Sequence, residues 1–324
     1  MMAAPPAWAQ PVEQFYRGKT IQLTVGSAVG GGYDAYTRAL ARFMGKHIPG
    51  RPNFVVVNMP GGSSLQAVRY LKSVAAKDGT QILMPNRTLI NLSIMDPTLV
   101  GIDFNDFTWI GSMTGETPVC YLSSTKGISN VTQLKDHNVT IGDTSKNGGT
   151  YAYSAILRNV FGNTVKQVIG YSTTASVWLA MDKGEIDGNC TGWTSIRIQR
   201  PQWLDGGKIN VLVKFSTRKH PDLEDVPEIY ELTLTESQRQ AIQFLTIADA
   251  MVRPVAAAAG MPADRAAALR EAFNKTMEDP EFRAFANQVK MDLDPLSWQE
   301  AEKVVREVTS APPETVALAR KILE

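Results

Sequence analysis

Residues 26–34, Gly26-Ser27-Ala28-Val29-Gly30-Gly31-Gly32-Tyr33-Asp34, carry the most legible chemistry in this chain. Three adjacent glycines let a backbone take positive φ and present successive N–H groups. An apolar run at residues 21–25 precedes them, and Tyr36, Ala39, Leu40 and Phe43 follow at helical spacing. The pattern predicts strand, glycine loop, helix. Unpaired amides and the helix dipole both favour negative charge at such a terminus. The chemistry implied is capture of an acidic group, with Asp34 either at the ligand or capping the helix.

Catalytic and cofactor chemistry finds little support. His47, His137 and His220 are scattered, with neither the spacing of a metal site nor that of a triad. No G-x-S-x-G occurs, and S-x-x-K occurs twice, at Ser123 and Ser216, without companion motifs. Residues 30–35 fit G-x-G-x-x-A, but the acidic residue of a dinucleotide fold, about 20 residues on, is replaced by Asn58. No metal, cofactor or catalytic residue is expected. Cys120 and Cys190 are the only cysteines. Bridged, they would close a loop of about 70 residues and contribute roughly 3–4 kcal/mol; reduced, they would be two small buried hydrophobes.

The elements that position the glycine loop recur along the chain. Residues 54–58 read as a second strand, ending in Met59-Pro60-Gly61-Gly62-Ser63-Ser64. Leu65, Val68, Leu71 and Ala75 mark the next helix, with Ser63 or Ser64 as its cap. Residues 81–84 form a third strand, so Asn86 and Arg87 follow it toward the same edge, where Arg87 suits a carboxylate. This βαβαβ order implies a parallel sheet with right-handed crossovers. A second α/β unit begins near Cys120. Residues 138–141 lead to a polar glycine loop with Ser145 and Thr150, then to a helix marked by Tyr153, Ile156, Leu157 and Val160. Ser172 and Thr173 occupy a later polar turn, and Trp193 sits beside Thr191, Thr194 and Ser195 as a candidate cleft aromatic. Two α/β lobes with facing anion-receptive loops make a cleft that closes by a hinge.

Length and composition agree. The chain has 324 residues, enough for two domains, with 44% hydrophobic and 20% charged residues. A net charge of +1 argues against a nucleic-acid partner. No apolar run reaches the roughly 18–20 residues of a membrane helix. Ala7-Trp8-Ala9 before Gln10 has the form of a signal cleavage site, so residues 1–10 read as a signal-peptide remnant or tail of an exported, periplasmic protein whose recorded start is truncated or engineered.

Seven motifs in order resemble the Bug-type extracytoplasmic receptors of tripartite tricarboxylate transporters. They are Tyr16-Arg17-Gly18-Lys19-Thr20-Ile21, Gly30-Gly31-Gly32-Tyr33-Asp34, Asn58-Met59-Pro60-Gly61-Gly62, Lys77-Asp78-Gly79-Thr80, Asp106-Phe107-Thr108-Trp109-Ile110, Gly184-Glu185-Ile186-Asp187 and Leu223-Glu224-Asp225-Val226-Pro227. The resemblance implies an α/β, two-lobed periplasmic binding protein (type II-like) with hinge strands. Residues 11–119 plus 246–324 would form one lobe and 120–245 the other. It also implies ligand contacts at Ser27, Ala28, Gly31, Gly32, Tyr33 and Asp34, at Gly61, Gly62 and Ser63, and at Ser145, Thr150, Ser172 and Thr173. Bulk at Gly31 or Gly32 is then expected to abolish binding. Val29 replaces the family's proline, Tyr33 its threonine and Thr191 an acidic position, which turns the expectation toward a dicarboxylate or aromatic carboxylate rather than citrate or an amino acid. The implied partner is a membrane permease, with the receptor itself monomeric. Two other readings are a sensory receptor for a membrane kinase and an enzyme on the same scaffold.

Overall fold

The computed structural model describes residues 11–144, 146, 149–216, 220–232 and 234–324. The expected signal remnant at residues 1–10 and Ser145 lie outside the described residues.

Among the described residues, eleven strands sort into two sheets. The first contains β1 (Thr20–Val25), β2 (Asn53–Asn58), β3 (Gln81–Met84), β4 (Thr108–Ser112), β10 (Pro254–Ala257) and β11 (Leu296–Ser297), in the order β11-β4-β10-β3-β1-β2. The second contains β5 (Pro118–Ser123), β6 (Val139–Asp143), β7 (Val165–Ile169), β8 (Gly188–Gly192) and β9 (Ile209–Lys214), in the order β7-β6-β8-β5-β9. β1 runs parallel to both neighbours, Leu23 standing against Val56 and Ile82. Its alternation of β-branched and apolar residues suits a strand covered on both faces, and Ile21, Leu23 and Val25 are fully buried.

Helices cover these sheets by their apolar faces. In α1 (Gly32–Met44), Tyr36, Ala39, Leu40, Phe43 and Met44 recur at helical spacing and are buried. They share a core with Leu269, Ala272 and Phe273 of a long C-terminal helix (Ala263–Glu278). Each such large side chain contributes on the order of 1.5–3 kcal/mol by leaving water. α2 (Leu65–Ser73) and α3 (Thr88–Met95) follow β2 and β3, while α4 (Gly149–Phe161), α5 (Thr174–Asp182) and α6 (Trp193–Gln199) belong with the second sheet. The last helix (Pro313–Leu323) returns to α4, where Tyr151 donates its hydroxyl to the Leu323 carbonyl at 2.8 Å.

Two segments cross between the sheets side by side. Residues 113–117 join β4 to β5, and residues 248–253 lead back into β10. They are tied by Met113 N–H to Arg253 O (3.0 Å), Val252 N–H to Thr114 O (3.0 Å) and Glu116 N–H to Asp249 O (2.9 Å). A further contact joins α6 to the C-terminal segment: Thr194 donates its hydroxyl to Asp292, and Arg197 Nη1 reaches the same carboxylate at 3.2 Å.

Cys120 and Cys190 are bridged. They stand opposite one another in the antiparallel β5–β8 pair, 4.1 Å apart at Cα. Neither the sequence separation nor the residue types distinguished this from two reduced core thiols; the strand register does.

β6 ends on Asp143, which is fully buried. Its Oδ2 accepts from Ser154 Oγ at 2.5 Å and from Gln167 Nε2 at 3.4 Å, while Oδ1 has no partner among the described residues. Burial pushes this carboxyl up to about 6, with the Ser154 and Gln167 hydrogen bonds pulling the other way. A carboxyl raised in the folded state binds a proton that the unfolded chain has already lost. Stability therefore falls as pH rises from about 4 through about 6 and is flat above, by about 3 kcal/mol in all. Asp143→Asn should remove most of that slope and raise neutral-pH stability by about 2 kcal/mol. Urea melts at pH 4, 6 and 8 check it; parallel curves for the two proteins would contradict it.

Candidate ligand-binding cleft

A cleft of about 600 Å³ opens between the sheets. One wall is the glycine loop after β1, from Ser27 to Tyr33, with Asn86, Arg87 and Thr88 after β3. The facing wall is the start of α4 (Gly149, Thr150, Tyr153) and of α5 (Thr174, Ala175, with Trp178 one turn on). Thr191 and Gly192 at the end of β8 and Ser195 and Gln199 of α6 complete that side, and the crossing segments supply Glu116, Val252 and Arg253. The cleft thus lies beyond the carboxyl ends of parallel strands in both sheets, where open α/β sheets leave loops free to hold a ligand.

The glycine loop is braced from behind. Asp34 accepts the Gly30 amide at 2.9 Å and Arg38 Nε at 3.0 Å. Asn58 donates to Asp34 at 2.8 Å and to the Ser27 carbonyl at 2.9 Å. Burial alone would push Asp34 up, but Arg38, the Gly30 amide and Asn58 outweigh it and hold the carboxyl at about 2. Asp34 therefore shapes the loop and is not on the cleft wall. Only Gly30 has a left-handed φ (88°); Gly31 is extended at −85° and Gly32 opens α1. What Gly32 supplies is space, because a Cβ there would stand 2.9 Å from Arg253 Nη2.

Charge gathers on the crossing segments. Arg87 Nε pairs with Asp249 at 2.5 Å, and Tyr153 donates its hydroxyl to the same carboxylate at 2.8 Å while accepting from Arg87 Nη2 at 3.0 Å. The pair is nearly out of water, so Arg87 answers a protein carboxylate rather than standing free. Arg253 differs. Its guanidinium lies 4.4 Å from the Tyr33 ring and 4.8 Å from the Tyr36 ring, Nη1 donates to the Val252 carbonyl at 3.1 Å, and Nε is buried without a partner among the described residues. Glu116 accepts from the Thr117 and Thr194 amides at 3.2 and 3.4 Å. Burial pushes its carboxyl up, against the pull of Arg253 and Arg87.

Of the residues singled out in the sequence, Ser27, Ala28, Gly31, Gly32, Tyr33, Asn86, Arg87, Thr150 and Thr173 line this cleft. The hydroxyls of Ser27 and Thr150 are buried and, among the described residues, unpartnered. Thr173 caps α5 through the Ser176 amide at 3.1 Å. Asn86 accepts from the Thr88 amide at 3.1 Å and from the Tyr33 hydroxyl at 3.4 Å, so it knits the wall together.

Asp34, Gly61, Gly62, Ser63, Ser172 and Trp193 lie off the cleft wall. Gly61 and Gly62 are exposed. Neither Ser63 nor Ser64 caps α2; the Ser64 hydroxyl instead donates to the Gly26 carbonyl and accepts the Asn86 amide, both at 3.1 Å. Ser172 is exposed beside Ser176. Trp193 is 5% exposed, faces His220 in the core of the second sheet and donates to Asp222 at 3.2 Å. Trp178 borders the cleft, although it is fully buried and shares the same core.

Glu116, Arg253 and Trp178 were not found from the sequence. Arg253 precedes a strand, whereas the rule for parallel sheets points to residues that follow one. Because β10 runs antiparallel to β3 and β4, its beginning lies at that edge. The only signal would have been the charge immediately before the apolar run at residues 254–258.

No protein-family model matches the chain, and no curated protein matches it. Solved structures do. A TctC solute-binding protein from Polaromonas superposes with a TM-score of 0.71 at 18% identity, covering 95% of this chain and 99% of that one. MatC from Rhodopseudomonas palustris with bound malate gives 0.67 at 17% identity, over 94% and 99%. A second Rhodopseudomonas palustris protein, with adipate, gives 0.67 at 16% identity, over 94% and 96%. The fold is that of the two-lobed periplasmic solute-binding proteins, with the cleft between the lobes.

Proposed function

We propose that this protein is an exported, periplasmic receptor that closes on a small organic carboxylate and passes it to membrane permease subunits of a tripartite tricarboxylate-type transporter. Residues 11–119 plus 246–324 act as one lobe and residues 120–245 as the other. The observation that carries the reading is the unmatched donor set on the two walls. Among the described residues, Ser27 on one side and Thr150 on the other hold buried hydroxyls without partners, and the Arg253 guanidinium has a buried Nε without an acceptor. A buried unpaired polar group costs about 1–3 kcal/mol, which a bound carboxylate offsets by accepting from it. Malate in MatC and adipate in the second protein of this fold are ligands of the same chemistry. The protein binds and releases its ligand unchanged.

The test is a thermal-shift panel on exhaustively dialysed protein: malate, adipate, benzoate, amino acids and nucleotides. A carboxylate at 100 times its Kd should stabilise by about 2.7 kcal/mol, a rise of several degrees. A rise with nucleotides and none with any carboxylate overturns the reading.

A further inference from the structure

The cleft floor carries an arginine and a glutamate that are not in direct contact with each other. Among the described residues, no carboxylate lies within 4 Å of the Arg253 guanidinium, and no cation lies within 4 Å of the Glu116 carboxylate. Each is held in place by something else. Arg253 is stacked against Tyr33 and Tyr36 and fits only because Gly32 has no side chain. Glu116 is anchored at one oxygen by two amides, and its carboxylate occupies the room left by Gly192, where a Cβ would stand 2.3 Å from it. Both groups line the same cleft. Burial pushes the Glu116 carboxyl up, and Arg253 is the foremost charge pulling it the other way, so the two groups are within electrostatic reach of each other. A guanidinium fork offers several donors, an ionised carboxylate only acceptors.

We propose that Arg253 and Glu116 together select a carboxylate that bears a cationic, hydrogen-bond-donating group close by, so that the receptor prefers a zwitterionic acid to the plain acid of the same skeleton. The ligand's carboxylate meets Arg253, and its ammonium meets Glu116. A plain dicarboxylate would instead set its second anion against Glu116, and like charges in a low-dielectric cleft repel strongly. Arg87 cannot relieve that clash, because its own charge is engaged by Asp249. The inference rests on the carboxylate-receptor reading and sharpens it to a ligand class.

Calorimetric titration of the whole protein with matched pairs tests it: succinate against aspartate, glutarate against glutamate, 3-phenylpropionate against phenylalanine. In at least one pair the amino acid should bind roughly tenfold or more tighter than its partner. Glu116→Gln, which keeps the shape, should bring that ratio close to one. Arg253→Gln should weaken both members by roughly a hundredfold. Plain acids that bind as tightly as their amino partners overturn the inference and leave the receptor reading standing. A preference that survives in Glu116→Gln overturns it as well. Silence from every acid in both series overturns the two together.

Discussion

Gly32→Val should weaken carboxylate binding by roughly a hundredfold or more, equivalent to about 2.7 kcal/mol, while moving the melting temperature by only a few degrees. Gly32 is exposed and is the first residue of α1, with helical backbone that valine can adopt. The cost therefore falls on function. A Cβ at this position stands 2.9 Å from Arg253 Nη2, and a branched side chain reaches farther, so the guanidinium must leave its seat on Tyr33 and Tyr36. The neighbouring glycine is the control. At Gly31 a Cβ meets only the Ala28 carbonyl, at 3.9 Å, so Gly31→Val should stay within about tenfold of wild type. Calorimetric Kd values for the carboxylate found in the thermal panel decide it. Wild-type affinity in folded Gly32→Val would remove Arg253 from the binding account.

Asp249→Ala should lower the folding free energy by about 3–5 kcal/mol. The side chains of Arg87 and Asp249 are 11% and 8% exposed. Burial works against the charge of Asp249, and Arg87 with the Tyr153 hydroxyl works for it. Deleting the carboxylate strands a guanidinium out of water and leaves the Tyr153 hydroxyl without its acceptor, so the loss exceeds what the pair itself contributes. Arg87→Met combined with Asp249→Leu removes both charges and should recover much of the loss. Denaturant melts of the single and double variants measure it. A cost below about 1 kcal/mol for Asp249→Ala would mean the pair is solvated like a surface ion pair. Arg87 follows β3, Tyr153 is on α4 and Asp249 is on a crossing segment, so the network also ties together the elements that flank the cleft.

The local elements of the site were legible in the sequence because short-range rules govern them. Apolar residues at 3.6 spacing after Gly32 must turn one face inward, and α1 does so through Tyr36, Ala39, Leu40 and Phe43. The run at residues 54–58 could bury itself only as a strand, and β2 pairs in parallel with β1. Thr150 and Thr173 stand on the cleft wall because polar turns before helices reach the edge where parallel strands end. Trp193 misled for the opposite reason. Its polar neighbours suggested a cleft aromatic, yet the first turn of α6 directs its indole into the core and leaves Ser195 on the wall. Asp34 was read as ligand or cap; the structure makes it the loop's brace, through partners as far away in sequence as Asn58.

What the sequence determined by itself was the kind of protein: alternating strands and helices, glycine loops at helix starts, and an opening for an acidic ligand. Period and turn chemistry act over a few residues, so they can be read along the chain. Tertiary structure alone decided which charges the ligand meets. Glu116 and Arg253 are 137 residues apart by their numbering, and they share a cleft because two crossing segments run side by side and β10 enters its sheet antiparallel. Whether an arginine is engaged or free depends on such long-range register. Arg87 met Asp249 and was neutralised; Arg253 met two aromatic rings and a backbone carbonyl and, among the described residues, no carboxylate within 4 Å.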